Sequence, residues 1–276
     1  MLGIACIHAA HASRHRPRFI DAATGSRYPV GKDSETVSTR AADAASPPPI
    51  AVSGEDALEH LVERARALAS AGGRRILGIA GAPGAGKSTL CSALLARLGP
   101  AAVLVGMDGF HLANAELIRL GRRDRKGAPD TFDTDGYLAL LRRLRAQTDG
   151  VIYAPTFDRA LEEPIGSAVA VSADTPLVIT EGNYLLHTGD GWAGVAEHLD
   201  ESWYVDVDHD ERHRRLVARR ISHGHPADEA AAWARDVDGA NALIVERSIP
   251  RADLVVRLPT TAPRAGGLSN DEGTPE

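Results

Sequence analysis

The chain has 276 residues, of which 43% are hydrophobic and 25% are charged, an ordinary balance for a globular protein that buries a core. Its formal net charge of -6 excludes a global basic field, so we expect no nucleic-acid partner. Cys6 and Cys91 exclude a disulfide framework or a cysteine-based zinc site and favour a cytoplasmic protein. No apolar run approaches the roughly 20 residues that span a bilayer, so no membrane association is expected.

The two ends of the chain differ in composition from the middle. Residues 1–52 are rich in Ala, Ser, Arg, His and Pro, and they lack a helical or strand period. We expect them to form a disordered arm. The predicted folded domain occupies residues 53–259, and the Gly-, Thr- and Pro-rich residues 260–276 are predicted to be a disordered tail.

Within the domain, apolar runs of strand length alternate with segments of helical period. Ser53 and Asp56 resemble the capping residues of a first helix, which ends at Ala71-Gly72-Gly73. The alternation indicates an α/β fold, in which helices cover both faces of a mostly parallel sheet as a three-layer α-β-α arrangement. The predicted strands are 76–80, 102–107, 151–154, 177–180, 203–207 and 254–258. The further predicted helices are 88–98, 112–120, 136–146 (with Asp135 as its cap), 209–222 and 227–246.

A glycine-rich turn joins the strand at 76–80 to the next helix. Its sequence GAPGAGKST fits the pattern GxxxxGK[ST], which predicts a P-loop NTPase fold with ATP and Mg²⁺ as cofactors. Backbone N–H groups of such a loop surround phosphates, Lys87 contacts the β and γ phosphates, and Ser88 offers a hydroxyl to Mg²⁺. Only three lysines occur in the chain, so a lysine at this position is informative. The residues predicted to bind the nucleotide are Gly81, Ala82, Pro83, Gly84, Ala85, Gly86, Lys87, Ser88 and Thr89.

Acidic residues follow three of the predicted strands, at the edge where ligands of open parallel sheets bind. Asp108 follows the strand at 102–107 and is a candidate to accept the proton of an attacking hydroxyl. Glu181 follows the strand at 177–180 and is a candidate to hold Mg²⁺ or its waters. For Asp206 and Asp208 we expect solvated loop positions instead.

Four segments occur in a specific order: GIAGAPGAGKSTL, MDGFHLANAELIRLGRRDRKGAPDTFD, YAPTFDR and VITEGNYLL. Together they resemble the phosphoribulokinase, uridine kinase and bacterial pantothenate kinase group of P-loop kinases, and most closely its nucleoside/nucleotide kinase-like members. The similarity spans about residues 75 to 258. The resemblance implies Asp108 as the catalytic base and Glu181 as the acid that organises Mg²⁺.

The same resemblance implies a lid at residues 210–220, where arginines close over the phosphates. Arg215 and Arg219 are the predicted catalytic residues of this lid, ahead of Arg212 and Arg220. A charged helix is more often a solvated face, so the individual arginines are not distinguished by the sequence.

The acceptor side is less defined. The resemblance implicates Arg125, Lys126 and Asp133, and loop positions after strands supply the other candidates. The full predicted acceptor set is His111, Arg125, Lys126, Asp133, Tyr153, Phe157, Asp158, Arg159 and Tyr184. His223 and His225 lack a third ligand at metal-binding spacing and are predicted to be surface residues.

The expected activity is transfer of the γ-phosphoryl group of ATP to a hydroxyl of a small molecule, such as a nucleoside, a sugar or a pantothenate-like compound. The chain departs from the acceptor patterns of pantothenate and uridine kinases, so a nucleoside or nucleoside monophosphate kinase stays open. An ATP-dependent switch or ATPase that regulates a partner is the alternative class, although the acceptor-side cluster has no evident use there. The guanine-reading motif NKxD is absent from the sequence. The oligomeric state is left open, a homodimer included.

Overall fold

The computed structural model of the protein describes residues 50–53 and 56–257. Residues 1–49 of the predicted arm and the predicted tail at 260–276 lie outside the described residues, and the domain boundaries at 53 and 259 stay predictions. The strands of the described part are β1 (Ile50–Ser53), β2 (Arg75–Ala80), β3 (Ala102–Gly106), β4 (Val151–Asp158), β5 (Glu163–Ser172), β6 (Leu177–Gly182), β7 (Glu201–Val205) and β8 (Leu254–Arg257).

Six of these strands form a parallel sheet in the order β1-β8-β7-β2-β6-β3. β2 lies in the interior of the sheet, where Gly78 pairs with Thr180 of β6 on one side and with Ser202 of β7 on the other. Because the strands are parallel, the loops that follow β2, β3 and β6 all emerge at one edge. Ligands of such sheets bind at this carboxyl edge, next to the strand where the order reverses.

Helices cover the sheet on both sides. A π-helical turn, Ala234–Asp238, interrupts the segment that was predicted as one helix at 227–246. No helix of the described part is long and apolar enough to cross a membrane. The helices described are α1 (Ala57–Ser70), α2 (Lys87–Leu98), α3 (Asn114–Arg119), α4 (Thr134–Arg145), α5 (His209–Ser222), α6 (Ala227–Trp233) and α7 (Gly239–Glu246).

Two hydrophobic clusters confirm the three-layer arrangement. Leu77 of β2 points to the face where α1 and α2 bury their apolar residues, for example Leu61 and Leu94. Ile76, one position earlier, points to the opposite face, where α4 packs with residues such as Leu141. Successive strand residues are therefore buried on both sides, which explains the continuous apolar runs in the sequence.

The first element differs from the prediction. Ile50–Ser53 forms an edge strand that pairs with β8, although residues 50–52 were assigned to the arm. Ser53 therefore ends a strand, and Asp56 is the residue that precedes α1. A segment of four residues without alternation is too short to show a strand pattern in the sequence. Its strand conformation depends on pairing with β8.

The cap of α4 also differs from the prediction. Asp133, not Asp135, precedes the helix, and its Oδ1 accepts a hydrogen bond from the backbone N–H of Gly136 at 2.9 Å. This is the reach of a capping side chain to the third helical residue. Asp135 instead lies in the first turn, where its charge favours the helix N-terminus.

A β-hairpin stands apart from the main sheet. The strand predicted at 151–154 continues to Asp158 and pairs antiparallel with β5, a strand that has no counterpart among the predicted elements. Half of the residues of β5 are exposed, and its residues Gly166–Ala168 are small, so the apolar signal of a buried strand is missing. The hairpin packs against β3 and against the 3₁₀ turn Met107–Phe110, which carries Asp108. Its end therefore reaches the carboxyl edge of the sheet.

Candidate active site

The candidate site is built from three loops at the carboxyl edge. The glycine-rich loop at 81–86 follows β2 and leads into α2, which begins at Lys87. Glu181 lies at the end of β6, and Asp108 lies in the turn directly after β3. Since β2, β6 and β3 are neighbours in the sheet, these side chains converge on one cleft, of which all three are part of the lining.

Lys87 is held at the centre of this site. Its ammonium Nζ donates hydrogen bonds to the carbonyl oxygens of Gly81 (2.8 Å) and Ala82 (3.2 Å) and to Oδ1 of Asn183 (2.8 Å). Removal from water lowers the pKa of Lys87, and the negative charge of Glu181 opposes this shift. Three oxygen acceptors match the three N–H donors of an ammonium, so the side chain has a defined direction towards the loop, as binding of an anionic phosphate group requires.

Two glycines of the loop are required by the backbone. Gly84 has φ +80°, and a Cβ there would lie 2.9 Å from Cγ of Leu216 on α5. Gly86, with φ +101°, is the residue that precedes α2. A side chain at either position would be strained, so the two glycines allow the loop to lead directly into the N-terminus of a 12-residue helix, where the helix dipole favours an anion. Together with Lys87, these features fit a bound polyphosphate.

Ser88 and Glu181 form a second contact across the site. Ser88 Oγ donates a hydrogen bond to Oε1 of Glu181 at 3.0 Å. Loss of solvent raises the pKa of Glu181; the charge of Lys87 acts in the opposite direction, and the charge of Asp108 adds to the increase. Nearby positive charge thus does not fully balance the Glu181 carboxylate. A hydroxyl oxygen beside such a carboxylate suits a hard divalent cation such as Mg²⁺.

Asp108 faces the same cleft from the other side. Its Oδ2 accepts a hydrogen bond from Nη2 of Arg159 at 3.2 Å, and its backbone oxygen lies 2.8 Å from Nδ1 of His111. Loss of solvent acts to raise the pKa of Asp108, but the positive charges of His111, Arg159 and Lys87 outweigh it and hold the pKa below its ordinary value. The carboxylate is therefore ionised at neutral pH and available as a proton acceptor.

The position of Asp108 depends on a close backbone approach. A Cβ on the next residue, Gly109, would lie 2.7 Å from the carbonyl oxygen of Pro155 in β4. The hairpin thus packs directly on the turn that carries Asp108. The glycine is needed here for proximity and not for a left-handed conformation, because its φ is not positive.

Helix α5 covers the glycine-rich loop. Nε of Arg215 donates to Oε1 of Glu211 at 2.7 Å, and its Nη1 lies 3.5 Å from the backbone oxygen of Ala85. Arg219 lines the cleft one turn further on, where loss of solvent lowers its pKa and the carboxylate of Asp238 opposes that shift. Arg215 therefore lies beside the phosphate-binding loop, and Arg219 lines the same cleft one turn further along α5.

Arg212 and Arg220 lie differently. Arg212 is buried, and its guanidinium lies 4.0 Å from the carboxylate of Glu246. Arg220 stacks on Trp233 of α6, with its guanidinium carbon 4.5 Å from the ring centre. Arg212 thus lies against the loop at Gly84 without being part of the cleft lining, and Arg220 is part of the lining but stacks on Trp233, so Arg215 and Arg219 stay the proposed lid arginines.

The cleft, with a volume of about 1260 Å³, continues past Asp108 into an aromatic compartment. The ring of His111 lies 4.0 Å from that of Phe132 and 4.8 Å from that of Phe157, measured between ring centres. Lys126 lies over the same Phe157 ring at 5.0 Å, and its Nζ donates to Oδ1 of Asn114 at 2.8 Å. Of the predicted acceptor residues, those that line the cleft are His111, Lys126, Phe157 and Arg159.

The other five predicted acceptor residues are placed elsewhere. Arg125 forms a surface ion pair with Asp130, and Asp133 caps α4. Tyr153 is 57% exposed on the hairpin. Asp158 accepts hydrogen bonds from backbone N–H groups in the hairpin turn. Tyr184 is fully buried, and its hydroxyl donates to the backbone oxygen of Gly127 at 2.6 Å. None of these five side chains is part of the cleft lining.

Several lining residues were not found from the sequence. Asn183 orients Lys87, and its place two residues after Glu181 in the VITEGNYLL segment is the sequence signal that indicates a position at the carboxyl edge. His223 and His225 are exposed, as predicted, yet both line the mouth of the cleft.

Asp206 also lines the cleft, and its Oδ2 accepts a hydrogen bond from Arg257. Asp208 caps α5. The π-helical turn and its surroundings add Trp233, Asp236, Val237, Asp238 and Asn241.

The fold and this site define a class of protein, the P-loop kinases, with the phosphate-binding loop at the carboxyl edge of a parallel sheet. Residues 76–262 match the model of the family described as "Phosphoribulokinase / Uridine kinase family". The chain belongs to that family, which confirms the resemblance found in the sequence and makes this protein a small-molecule P-loop kinase.

Individual relatives cover most of the domain. A protein of Schizosaccharomyces pombe named "Putative uridine kinase C227.14" is 34% identical over 210 residues, which is 72% of this chain and 89% of the relative. A "Pantothenate kinase" of Mycolicibacterium vanbaalenii is 30% identical, over 69% of this chain and 64% of the relative. The crystal structure of a "putative fructose transport system kinase" from Silicibacter sp. TM1040 is 39% identical with a TM-score of 0.66, over 72% and 98% of the two chains.

Proposed function

We propose that this protein transfers the γ-phosphoryl group of ATP to a hydroxyl of a small molecule in a Mg²⁺-dependent reaction. The observation that carries the proposal is the convergence of Lys87, Glu181 and Asp108 on one cleft. The first two belong to the phosphate side and the third faces the aromatic compartment. A phosphate-binding loop and an ionised proton acceptor that share a cleft are the parts that phosphoryl transfer to an alcohol requires.

On the phosphate side, residues 81–89 would bind the triphosphate through their N–H groups and the Lys87 ammonium. Ser88 and Glu181 would hold Mg²⁺, directly or through water. When bound, the cation supplies positive charge that neutralises the phosphate oxygens. Arg215 and Arg219 of α5 would add two further positive charges next to the same loop, where they would stabilise the charge that develops in the transition state.

On the acceptor side, Asp108 would accept the proton of the hydroxyl. The acceptor oxygen forms a bond to the γ-phosphorus, the bond from that phosphorus to the bridging oxygen of ADP breaks, and the hydroxyl proton passes to the carboxylate. The low pKa of Asp108 keeps this group charged before the reaction. Proton acceptance therefore needs no prior activation of the base.

The acceptor would lie in the aromatic compartment, between His111, Lys126, Phe157 and Arg159. The relatives are named for uridine, pantothenate and fructose transport. This range favours a compound of nucleoside, sugar or pantothenate size with an exposed hydroxyl. A compartment of this kind beside Asp108 favours a kinase over a switch that acts without a small-molecule acceptor.

The experiment is an acceptor screen with the full chain, Mg-ATP and candidate nucleosides, sugars, pantothenate and glycerate. ADP release and the phosphorylated product are measured together. A kinase gives ADP and phosphorylated acceptor in equal amounts, and only with the correct acceptor present. Acceptor-independent ADP release, with partner binding that depends on ATP, would replace the proposal with a regulatory ATPase.

A further inference from the structure

The contact between Arg159 and Asp108 joins the end of the hairpin to the proposed base. One N–H of the guanidinium, at Nη2, is used in this contact, with Oδ2 of Asp108 at 3.2 Å. Across residues 50–53 and 56–257 it is the only hydrogen bond that the guanidinium makes, and Oδ1 of Asp108 has no partner among those residues. The Arg159 side chain is 45% exposed and that of Asp108 32%, so the pair is open to the cleft.

Arg159 differs in this respect from the other cation of the compartment. Lys126 is 9% exposed and donates to Asn114 and to the backbone oxygen of Glu162. Two of its three donors are thus used to hold Asn114 and the hairpin turn in place. A guanidinium has five N–H donors in a planar fork, so Arg159 keeps most of its donors for another group. Its guanidinium carbon lies 5.8 Å from the ring centre of Phe157, beside the aromatic compartment.

The pair restricts the chemistry of the acceptor. A hydroxyl that donates to Oδ1 of Asp108 brings the rest of its molecule next to the guanidinium, because the two oxygens of one carboxylate are about 2 Å apart. The group of the acceptor that lies there meets unused N–H donors and a positive charge. A carboxylate or a phosphate matches this fork, since each accepts two parallel hydrogen bonds from arginine.

We propose that the acceptor is an anionic hydroxy compound, with a carboxylate or phosphate group a few bonds from the hydroxyl that is phosphorylated. Arg159 is the residue that selects it, by binding the anion while Asp108 binds the hydroxyl. This inference rests on the proposed function, since it names the substrate class of the same site. Neutral nucleosides and neutral sugars lack the group that Arg159 would bind.

The test compares acids with neutral partners of the same shape. The probes are glycerate and glyceramide, pantothenate and pantothenol, and ribose 5-phosphate and ribose. Each is measured twice with the full chain: for phosphorylation with Mg-ATP, and for binding by calorimetry with a non-hydrolysable ATP analogue. Separate readouts distinguish the two claims. An acid that binds through Arg159 without being phosphorylated contradicts the transfer reaction but not the anion subsite.

We expect kcat/KM, or the affinity, for at least one acid to exceed that of its neutral partner by about 10- to 100-fold, as loss of a charged hydrogen-bond pair predicts. Arg159→Ala brings that ratio close to one, mainly through KM, and Arg159→Lys restores part of it. Arg97→Ala is the control, because Arg97 is similarly exposed at 48% and pairs with Glu59 outside the cleft lining. A preference for neutral partners, a ratio that Arg159→Ala leaves unchanged, or no binding of any acid overturns the inference.

Discussion

Ser88 Oγ lies 3.0 Å from Oε1 of Glu181, although the two residues are 93 positions apart in the chain. This contact joins Ser88, the second residue of α2, to the end of β6. Both groups prefer hard cations, and both lie beside Lys87. The proposed donor set for Mg²⁺ would thus be assembled by the sheet, since β2 and β6 are adjacent strands.

Ser88→Ala should raise the Mg²⁺ concentration at half-maximal rate and lower kcat by about 10- to 100-fold, because one oxygen ligand is lost. Initial rates over a Mg²⁺ series at fixed ATP measure both quantities. Ser92→Ala is the matched control: this serine lies one turn further along α2, and its Oγ donates only to the backbone oxygen of Ser88. Equal effects of the two substitutions would remove Ser88 from the metal site.

Glu181→Gln should stabilise the nucleotide-free protein at neutral pH. The folded state raises the pKa of Glu181 above its ordinary 4.5, so the folded state binds this proton more tightly than the unfolded state does. The free energy of unfolding therefore falls as the pH rises from 4.5 through the pKa of the folded state. Above that pKa, the charged carboxylate destabilises the folded protein. We expect an increase in Tm of about 2 °C at pH 7.5, and none at pH 4.

The contribution of Glu181 reverses in the presence of ligand. With Mg-ATP, the wild type should gain more stability than Glu181→Gln, because ligand that binds only the folded state stabilises it by mass action. Thermal unfolding with and without Mg-ATP gives the comparison. If Glu181→Gln has a lower Tm than the wild type without nucleotide, neighbouring positive charges fully balance the carboxylate in the folded protein, which contradicts the prediction.

Much of the fold and the phosphate side could be predicted from the sequence, because their signals are local. The parallel sheet follows from apolar runs between helical segments, and Lys87 and Ser88 follow from a contiguous motif. β5 gave no such signal, since half of its residues are exposed and it is specified by pairing with β4. Asp238 and Asn241 reach the cleft only through the packing of the π-helical turn and α7. Sequence spacing contains no information on that packing.

The acceptor residues show the same limit. A loop after a strand predicts a position near the carboxyl edge, but it does not predict the direction of a side chain. Phe157 and Asp158 are adjacent, yet Phe157 lines the cleft and Asp158 closes the hairpin turn. Tyr184 has the polar group of a ligand-binding residue, and its hydroxyl is used by a backbone oxygen. These outcomes depend on tertiary contacts alone.

Asp108→Asn should abolish transfer while ATP binding stays nearly unchanged. The amide has the same shape but cannot accept the hydroxyl proton, so kcat is expected to fall about 10²- to 10⁴-fold. Turnover with the identified acceptor and nucleotide affinity by calorimetry give the two quantities. Asp149→Asn is the control, because Asp149 is exposed and is not part of the cleft lining. Wild-type turnover of Asp108→Asn would remove Asp108 from the role of base.

Gly109→Ala should separate the hairpin from the turn that carries Asp108. The new Cβ would lie 2.7 Å from the carbonyl oxygen of Pro155, and backbone atoms on both sides must move. We expect a loss of about 1–3 kcal/mol in the free energy of unfolding and a lower kcat. In Gly106→Ala, the control in the preceding strand, the added methyl meets no atom within 4 Å. Equal unfolding free energies for the two variants would contradict the close approach.

The most direct test of the central claim is the measurement of Mg-ATP affinity and of turnover in Lys87→Ala. Thermal unfolding first establishes that the variant is folded. If the Lys87 ammonium binds the triphosphate and stabilises its transfer, the affinity falls by about tenfold or more, and turnover falls by about 100-fold or more. A folded Lys87→Ala variant that binds Mg-ATP and phosphorylates its acceptor like the wild type would contradict the account.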